Sequence, residues 1–250
     1  MRRQEVPEEE GYVQVTIGQT VLHGNLLIPA KAIGLVAFAH GSGSGRHSPR
    51  NQYVAKLLRD SGLATLLFDL LTLEEEAEDL ITGRQRFDIE LLSRRLVGAT
   101  DWLQSNKETR KLGLGYFGAS TGAAAALVAA ARKPDVVRAV VSRGGRPDLA
   151  GPVLDRVKAP TLLIVGGNDF PVIEMNREAL AGLQVVKKLV IVPGATHLFE
   201  EAGSLEQVAA LARDWFIKYL PTTIGCAGYI VGVNPKGNEV GSLRVDMGNP

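Results

Sequence analysis

The stretch LGLGYFGASTGAAAALVAAAR, residues 112–132, decides how the rest of the chain is read. Its apolar first part, ending at Phe117, reads as a buried strand. Gly118-Ala119-Ser120-Thr121-Gly122 follows, and an alanine-rich helical run begins at once. Strand, G-x-S-x-G and helix together describe a serine carried on a very sharp turn. The reason for the glycines is steric: small residues two before and two after the serine let the chain pass without collision. Such a turn lifts the hydroxyl clear of the sheet and aims the first helix amides at developing negative charge. Among 28 glycines the pattern alone arises by chance, so its flanking strand and helix carry the weight.

Working outward, residues 12–17 alternate apolar and polar, and a second stretch, residues 21–28, follows after Gly18-Gln19-Thr20, predicting an antiparallel hairpin with one wet face. Residues 33–39 form a continuous apolar run suited to a buried parallel strand. A glycine-rich loop from His40 to Pro49 comes next, and Ser48-Pro49 predicts a helix start running to about Asp60. Residues 63–70 predict another buried strand. Residues 71–86, with five carboxylates between Glu74 and Asp79, read as a solvated surface segment. An amphipathic helix is expected over about residues 87–104, strands over 136–141, 160–165 and 188–192, and a last amphipathic helix over 205–219. Strands alternating with helices predict an α/β fold, a mainly parallel sheet with helices on both faces. Residues 1–11 form an N-terminal extension and residues 12–220 the domain. The glycine-rich tail 221–250 admits two readings, a loose segment or an added hairpin of residues 229–233 with 240–245.

A serine hydroxyl becomes a competent nucleophile only with a base in hydrogen-bond reach and an acid to orient that base. The chain supplies Ser120, Asp169 and His197 in that order, each just after a predicted strand. In an open parallel sheet those strand ends share one edge, where ligands bind. Asp148 is the rival acid, while His40 and His47 flank the glycine loop as supports or substrate contacts. The loop at residues 40–45 should supply a second oxyanion donor: the Ser42 and Thr121 amides are expected there, with Gly43 as a neighbouring option. A dinucleotide-loop reading of Gly41, Gly43 and Gly45 fails because the third fingerprint glycine falls at Arg46. Arg46, Arg50, Arg143 and Arg146 lie in loops at the same edge. Of these Arg46, Arg143 and Arg146 are candidate substrate-binding residues for a carboxylate or phosphate; pairing with the acidic patch is the competing explanation.

Composition removes other classes. The formal net charge is +1, so nothing global points to nucleic acid or membrane. Cys226 is the only cysteine, which excludes a disulfide framework or a cysteine-based zinc site. No His/Asp/Glu cluster has metal-ligand spacing, so no cofactor or metal is expected. The N-terminus lacks the apolar core of a signal peptide, and a cytoplasmic location is the expectation.

With these residues placed, residues 12–220 resemble the α/β-hydrolase superfamily and, more narrowly, its dienelactone-hydrolase-related branch. The resemblance rests on His40-Gly41-Ser42-Gly43-Ser44, Arg46-His47-Ser48-Pro49-Arg50-Asn51, Leu70-Leu71-Thr72 with Arg86-Phe87-Asp88-Ile89, Gly118–Gly122, Ser142-Arg143-Gly144-Gly145-Arg146-Pro147-Asp148-Leu149 and Gly194-Ala195-Thr196-His197. It extends to hydrolase modules joined to phosphoribosyltransferase-like domains. It implies an α/β-hydrolase fold with Ser120 as nucleophile, Asp169 as acid and His197 as base. Dienelactone hydrolases proper carry a cysteine where this chain has Ser120. The short connection after Val141 implies no lid domain, hence an open site for small esters or lactones, anionic ones included. A non-catalytic binding or regulatory module, linked to a phosphoribosyltransferase, is the alternative on the same fold.

Overall fold

The computed structural model describes residues 10–221, 229–233 and 239–244. In chain order the elements are β1 (Tyr12–Ile17), β2 (Thr20–Leu27), β3 (Gly34–Ala39), α1 (Pro49–Asp60), β4 (Leu63–Phe68), α2 (Leu73–Thr82), α3 (Ile89–Ser105), β5 (Leu114–Ala119), α4 (Thr121–Arg132), β6 (Val137–Arg143), β7 (Thr161–Gly166), α5 (Phe170–Gly182), β8 (Lys187–Val192) and α6 (Ser204–Tyr219). Short 3-10 segments lie at Gln85–Phe87 and Pro147–Arg156. The first eight strands form one sheet in the order β1-β2-β4-β3-β5-β6-β7-β8. β1 pairs antiparallel with β2, and β2 with β4; every later pairing is parallel.

The apolar runs are buried because they are covered twice. β3, β4, β5 and β7 are buried along their whole length. One face packs Leu66, Tyr116 and Leu35 against Leu96 of α3 and Leu127 of α4. The other packs Phe38 and Phe117 against Leu58 of α1 and Phe216 of α6. Winding reverses at β3: β4 lies on one side of it and β5 on the other. The loops leaving the carboxyl ends of β3 and β5 therefore part at a topological switch point, where α/β sheets place their ligands.

The structure differs from expectation in two elements. Residues 71–86 lie at the surface as expected, but they also contain a helix the sequence reading did not place, α2, started by a reciprocal capping box: Thr72 Oγ1 accepts from the Glu75 amide at 3.2 Å, and the Thr72 amide donates to Glu75 Oε2 at 2.8 Å. Thr-x-x-Glu is legible in the sequence, but the carboxylate run obscures it. α5 also lacks a sequence expectation, because its start coincides with the Gly-Gly-Asn turn. Beyond α6, β9 (Tyr229–Val233) and β10 (Glu239–Arg244) pair antiparallel as a separate two-stranded sheet. The rest of the tail, Cys226 included, and most of the N-terminal extension lie outside the described residues. No helix among the described residues is long and apolar enough to cross a membrane.

Candidate active site

Ser120 stands between β5 and α4 with φ 50° and ψ −122°, a conformation few non-glycine residues adopt. Three backbone bonds hold it there. Its amide donates to the Arg143 carbonyl at 3.3 Å, and its own carbonyl accepts from the amides of Ala123 and Arg146, each at 3.1 Å. The flanking glycines are packing necessities. A Cβ on Gly118 would lie 2.4 Å from Ala123 Cα, and one on Gly122 would lie 2.1 Å from the Ala39 carbonyl oxygen.

Asp169 occupies the position before α5, yet its side chain makes no capping bond. It turns instead to His197, whose Nδ1 lies 2.6 Å from Asp169 Oδ2. That bond places the imidazole proton on Nδ1 and leaves Nε2 as the free acceptor. The turn carrying His197 is clasped from both sides. Thr196 donates through its amide and hydroxyl to Glu201 Oε1 at 3.0 and 2.6 Å, and Asn168 Nδ2 donates to the Gly194 carbonyl at 2.9 Å. The Thr196 hydroxyl, with the amides of Glu201 and Thr196, holds the Glu201 carboxyl below the usual range. Asp148, the rival acid, is engaged bidentately by Arg146 at 2.8–3.2 Å.

Ser120 and His197 line one pocket with Gly41, Ser42, Ser44 and Arg143. The β3 loop passes so near that a Cβ on Gly41 would lie 3.1 Å from Ser120 Cβ. Ser42 Oγ and Thr121 Oγ1 share a hydrogen bond at 3.1 Å, tying the loop after β3 to the first turn of α4. Neither the Ser42 nor the Thr121 amide enters the turn and loop hydrogen bonds, so both remain available to a ligand. Across this tie lies a second, largely apolar cavity walled by Leu71, Leu80, Leu92 and Arg86.

His40 is a support. Its Nε2 accepts from the Leu70 amide at 2.9 Å and its Nδ1 donates to the Gly41 carbonyl at 3.0 Å. Burial lowers its pKa from the usual histidine value, and the Gly41 carbonyl, Asp69 and Glu76 only partly oppose that.

The arginines separate into two kinds. Arg46 binds Asp69 through both its amide and its guanidinium, Arg146 binds Asp148, and Arg50 reaches Glu200 at 3.2 Å. The acidic patch is occupied otherwise, with Asp79 held by Arg86 and Glu75 by Arg95. Arg143 has no acidic partner among the described residues. It is 7% exposed, its Nε has no hydrogen-bond acceptor, and it lines the Ser120 pocket. Of the three arginines expected to meet substrate, the structure brings Arg143 alone to the serine; Arg46 and Arg146 are turned to carboxylates near them in the loops. Glu201, absent from the sequence reading, had no signal: it is one of two adjacent surface-type carboxylates.

The model of the "Dienelactone hydrolase family" matches residues 47–220. A crystal structure of a dienelactone hydrolase from Anabaena variabilis is 64% identical, covers 85% of this chain and 98% of its own, and superposes with a TM-score of 0.84. A serine hydrolase without lid from Xanthomonas campestris, 20% identical, shares the fold at a TM-score of 0.65 over 87% of this chain and 98% of its own. A Mycobacterium tuberculosis protein provisionally named a phosphoribosyl transferase is 58% identical over 214 residues, 86% of this chain and 47% of that protein. The chain thus spans about half the length of the curated relatives it matches.

Proposed function

The chain belongs to the dienelactone hydrolase family, an α/β-hydrolase group, and on that footing we propose that it is a serine hydrolase cleaving small carboxylic esters or lactones. The observation that carries the reading is the 2.6 Å bond between His197 and Asp169 beside a strained Ser120 in one pocket. Structural turns have no use for a strained serine, and a helix start has no reason to leave its N-cap aspartate uncapped.

In this reading His197 Nε2 takes the Ser120 proton as Oγ attacks the ester carbonyl. The carbonyl oxygen becomes an oxyanion, to which the amides of Ser42 and Thr121 donate hydrogen bonds. Their geometry is set by the Ser42–Thr121 hydroxyl bond rather than by the substrate, so little reorganisation accompanies charge development. His197 then gives its proton to the departing alkoxide, leaving acyl-Ser120. Water, deprotonated by the same imidazole, hydrolyses the acyl group and restores the serine. Asp169 fixes the tautomer and stabilises the imidazolium. The apolar cavity beside Thr121 suits a short hydrocarbon portion of the substrate. The connection between β6 and β7 holds only the short 3-10 segment Pro147–Arg156, which suits an open site without a lid.

A fluorophosphonate probe tests this directly. Wild-type protein should label and hydrolyse p-nitrophenyl acetate, and Ser120→Ala should do neither. A folded wild type that stays unlabelled would select the alternative, a non-catalytic module. That alternative draws its support from relatives twice as long that carry a phosphoribosyl transferase name.

A further inference from the structure

Arg143 is the anomaly of the pocket. Its side chain is almost wholly buried at the end of β6, and no carboxylate, carbonyl or hydroxyl among the described residues satisfies its guanidinium. Burial, with the charge of Arg50 added, pushes its pKa down to about 10, so it still carries its charge near neutrality. An uncompensated buried cation is destabilising unless something neutralises it, and it survives where a ligand does so. Arg50, also on this pocket, is only loosely occupied. Its single contact is to Glu200, 64% exposed, and its own buried Nε has no acceptor. Ser44 and Ser48 bring two more hydroxyls to the wall, and no carboxylate lines it.

We propose that Arg143 and Arg50 form a recognition site for a dianionic phosphate group, so that the favoured substrate is a small ester carrying a phosphate monoester. The choice of phosphate over carboxylate rests on counting acceptors. One guanidinium fork takes up both oxygens of a carboxylate. A phosphate monoester offers three terminal oxygens and close to two negative charges, enough for both guanidiniums and a serine hydroxyl. The site is adjacent to Ser120, so the phosphate anchors the ester while the acyl carbon meets the nucleophile. This inference rests on the hydrolase reading above for the word substrate, but the anion site can be tested without it.

Two measurements separate the two. The first compares 4-methylphenyl acetate, 4-acetoxybenzoate and 4-acetoxyphenyl phosphate, which are neutral, singly and doubly charged esters with the same acyl group. Wild-type kcat/KM should favour the phosphate ester by roughly 10- to 100-fold, the size of one charge-assisted hydrogen bond. In Arg143→Met that preference should fall toward unity, and in Arg50→Met it should fall in part. Equal preference in wild type and Arg143→Met would overturn the proposal, and acetoxybenzoate matching the phosphate ester would overturn its dianion claim. The second measurement is thermal melting with inorganic phosphate or acetate. Phosphate should raise the wild-type Tm, acetate should raise it far less, and phosphate should leave Arg143→Met unmoved. Phosphate stabilisation without ester turnover would keep the anion site and sink the hydrolase reading; turnover without phosphate stabilisation or phosphate-ester preference would do the reverse. Arg143→Met strands no partner, so it should fold; should it not, Arg50→Met carries both measurements.

Discussion

Ser120 and Asp169 both stand immediately before a helix, where a hydroxyl or carboxylate ordinarily accepts from the helix amides, and neither does. Each forgoes a capping bond worth about 1 kcal/mol, which marks both side chains as held for another purpose. Asp169→Asn keeps the shape but removes the acceptor that fixes the His197 tautomer. Its kcat on p-nitrophenyl acetate should drop on the order of 10³–10⁴-fold with KM little changed. A drop under tenfold would remove Asp169 from the proposed role. His40 gives a prediction of a different kind. Its folded pKa lies below the unfolded value of roughly 6.5, so between the two the unfolded chain binds the extra proton. Its contribution to stability is therefore fully present above about pH 6.5 and is lost as pH falls through the folded pKa. Urea midpoints should decline from pH 8 to pH 5 more in wild type than in His40→Gln, whose amide oxygen can still accept from Leu70. Parallel declines would show that His40 does not matter to that slope.

At the scale of elements, α2 is the segment whose position is least determined by packing. It leaves Leu73, Leu80 and Ile81 exposed, and only Asp79 is buried along its length. Its start depends on the Thr72–Glu75 capping box, its end on Gly83 in the left-handed conformation. Burial alone would raise the Asp79 carboxyl, but the Arg86 amide and guanidinium hold it below the usual range and tie the end of α2 to the chain before α3. Thr72→Ala should cost about 1 kcal/mol, expressed locally. Hydrogen exchange of the α2 amides should quicken several-fold while the sheet amides stay protected; acceleration spread evenly over the sheet would show instead that α2 unfolds only with the whole domain. Such an element escapes a reading by hydrophobic period because it contributes little apolar surface to the core. The reverse holds for α4: ten of its twelve residues are buried, its alanines allow close approach to the sheet, and its run was legible at once.

For the molecule as a whole, the sheet separates the task of stability from the task of chemistry. Phe216 of α6 is fully buried against β5 on the face that carries α1, and a Cβ on Gly115 would lie 2.7 Å from its ring. Phe216→Ala should cost roughly 3–5 kcal/mol, and so lower Tm by roughly 6–20 °C in a chain this size. Fluorophosphonate labelling well below that Tm should continue, because the Ser120 turn is held by β6 and the β3 loop rather than by α6. Loss of labelling in the folded variant would show that the site depends on the α6 face after all.

What could be read from the sequence by itself was whatever local sterics and alternation impose. The serine turn with its two glycines, the buried strand runs, the Ser48-Pro49 helix start and the order Ser120, Asp169, His197 all follow from neighbours a few residues apart. From those rules the fold and the three polar strand ends at one edge could be stated in advance. The tertiary structure decided which charges are used up. In sequence Arg46, Arg50, Arg143 and Arg146 read alike, each as a basic residue in a loop at the same edge, although Arg50 falls in the first turn of α1 and Arg143 closes β6. Two of their partners are set by which strand ends meet, Asp69 arriving from the end of β4 and Glu200 from the turn after β8, while Arg146 takes Asp148 close by in its own loop; among the described residues nothing acidic pairs with Arg143 at the end of β6. A chain without its fold cannot show that Arg143 is the one left bare, because burial and the absence of a partner are properties of the assembled pocket and not of any segment.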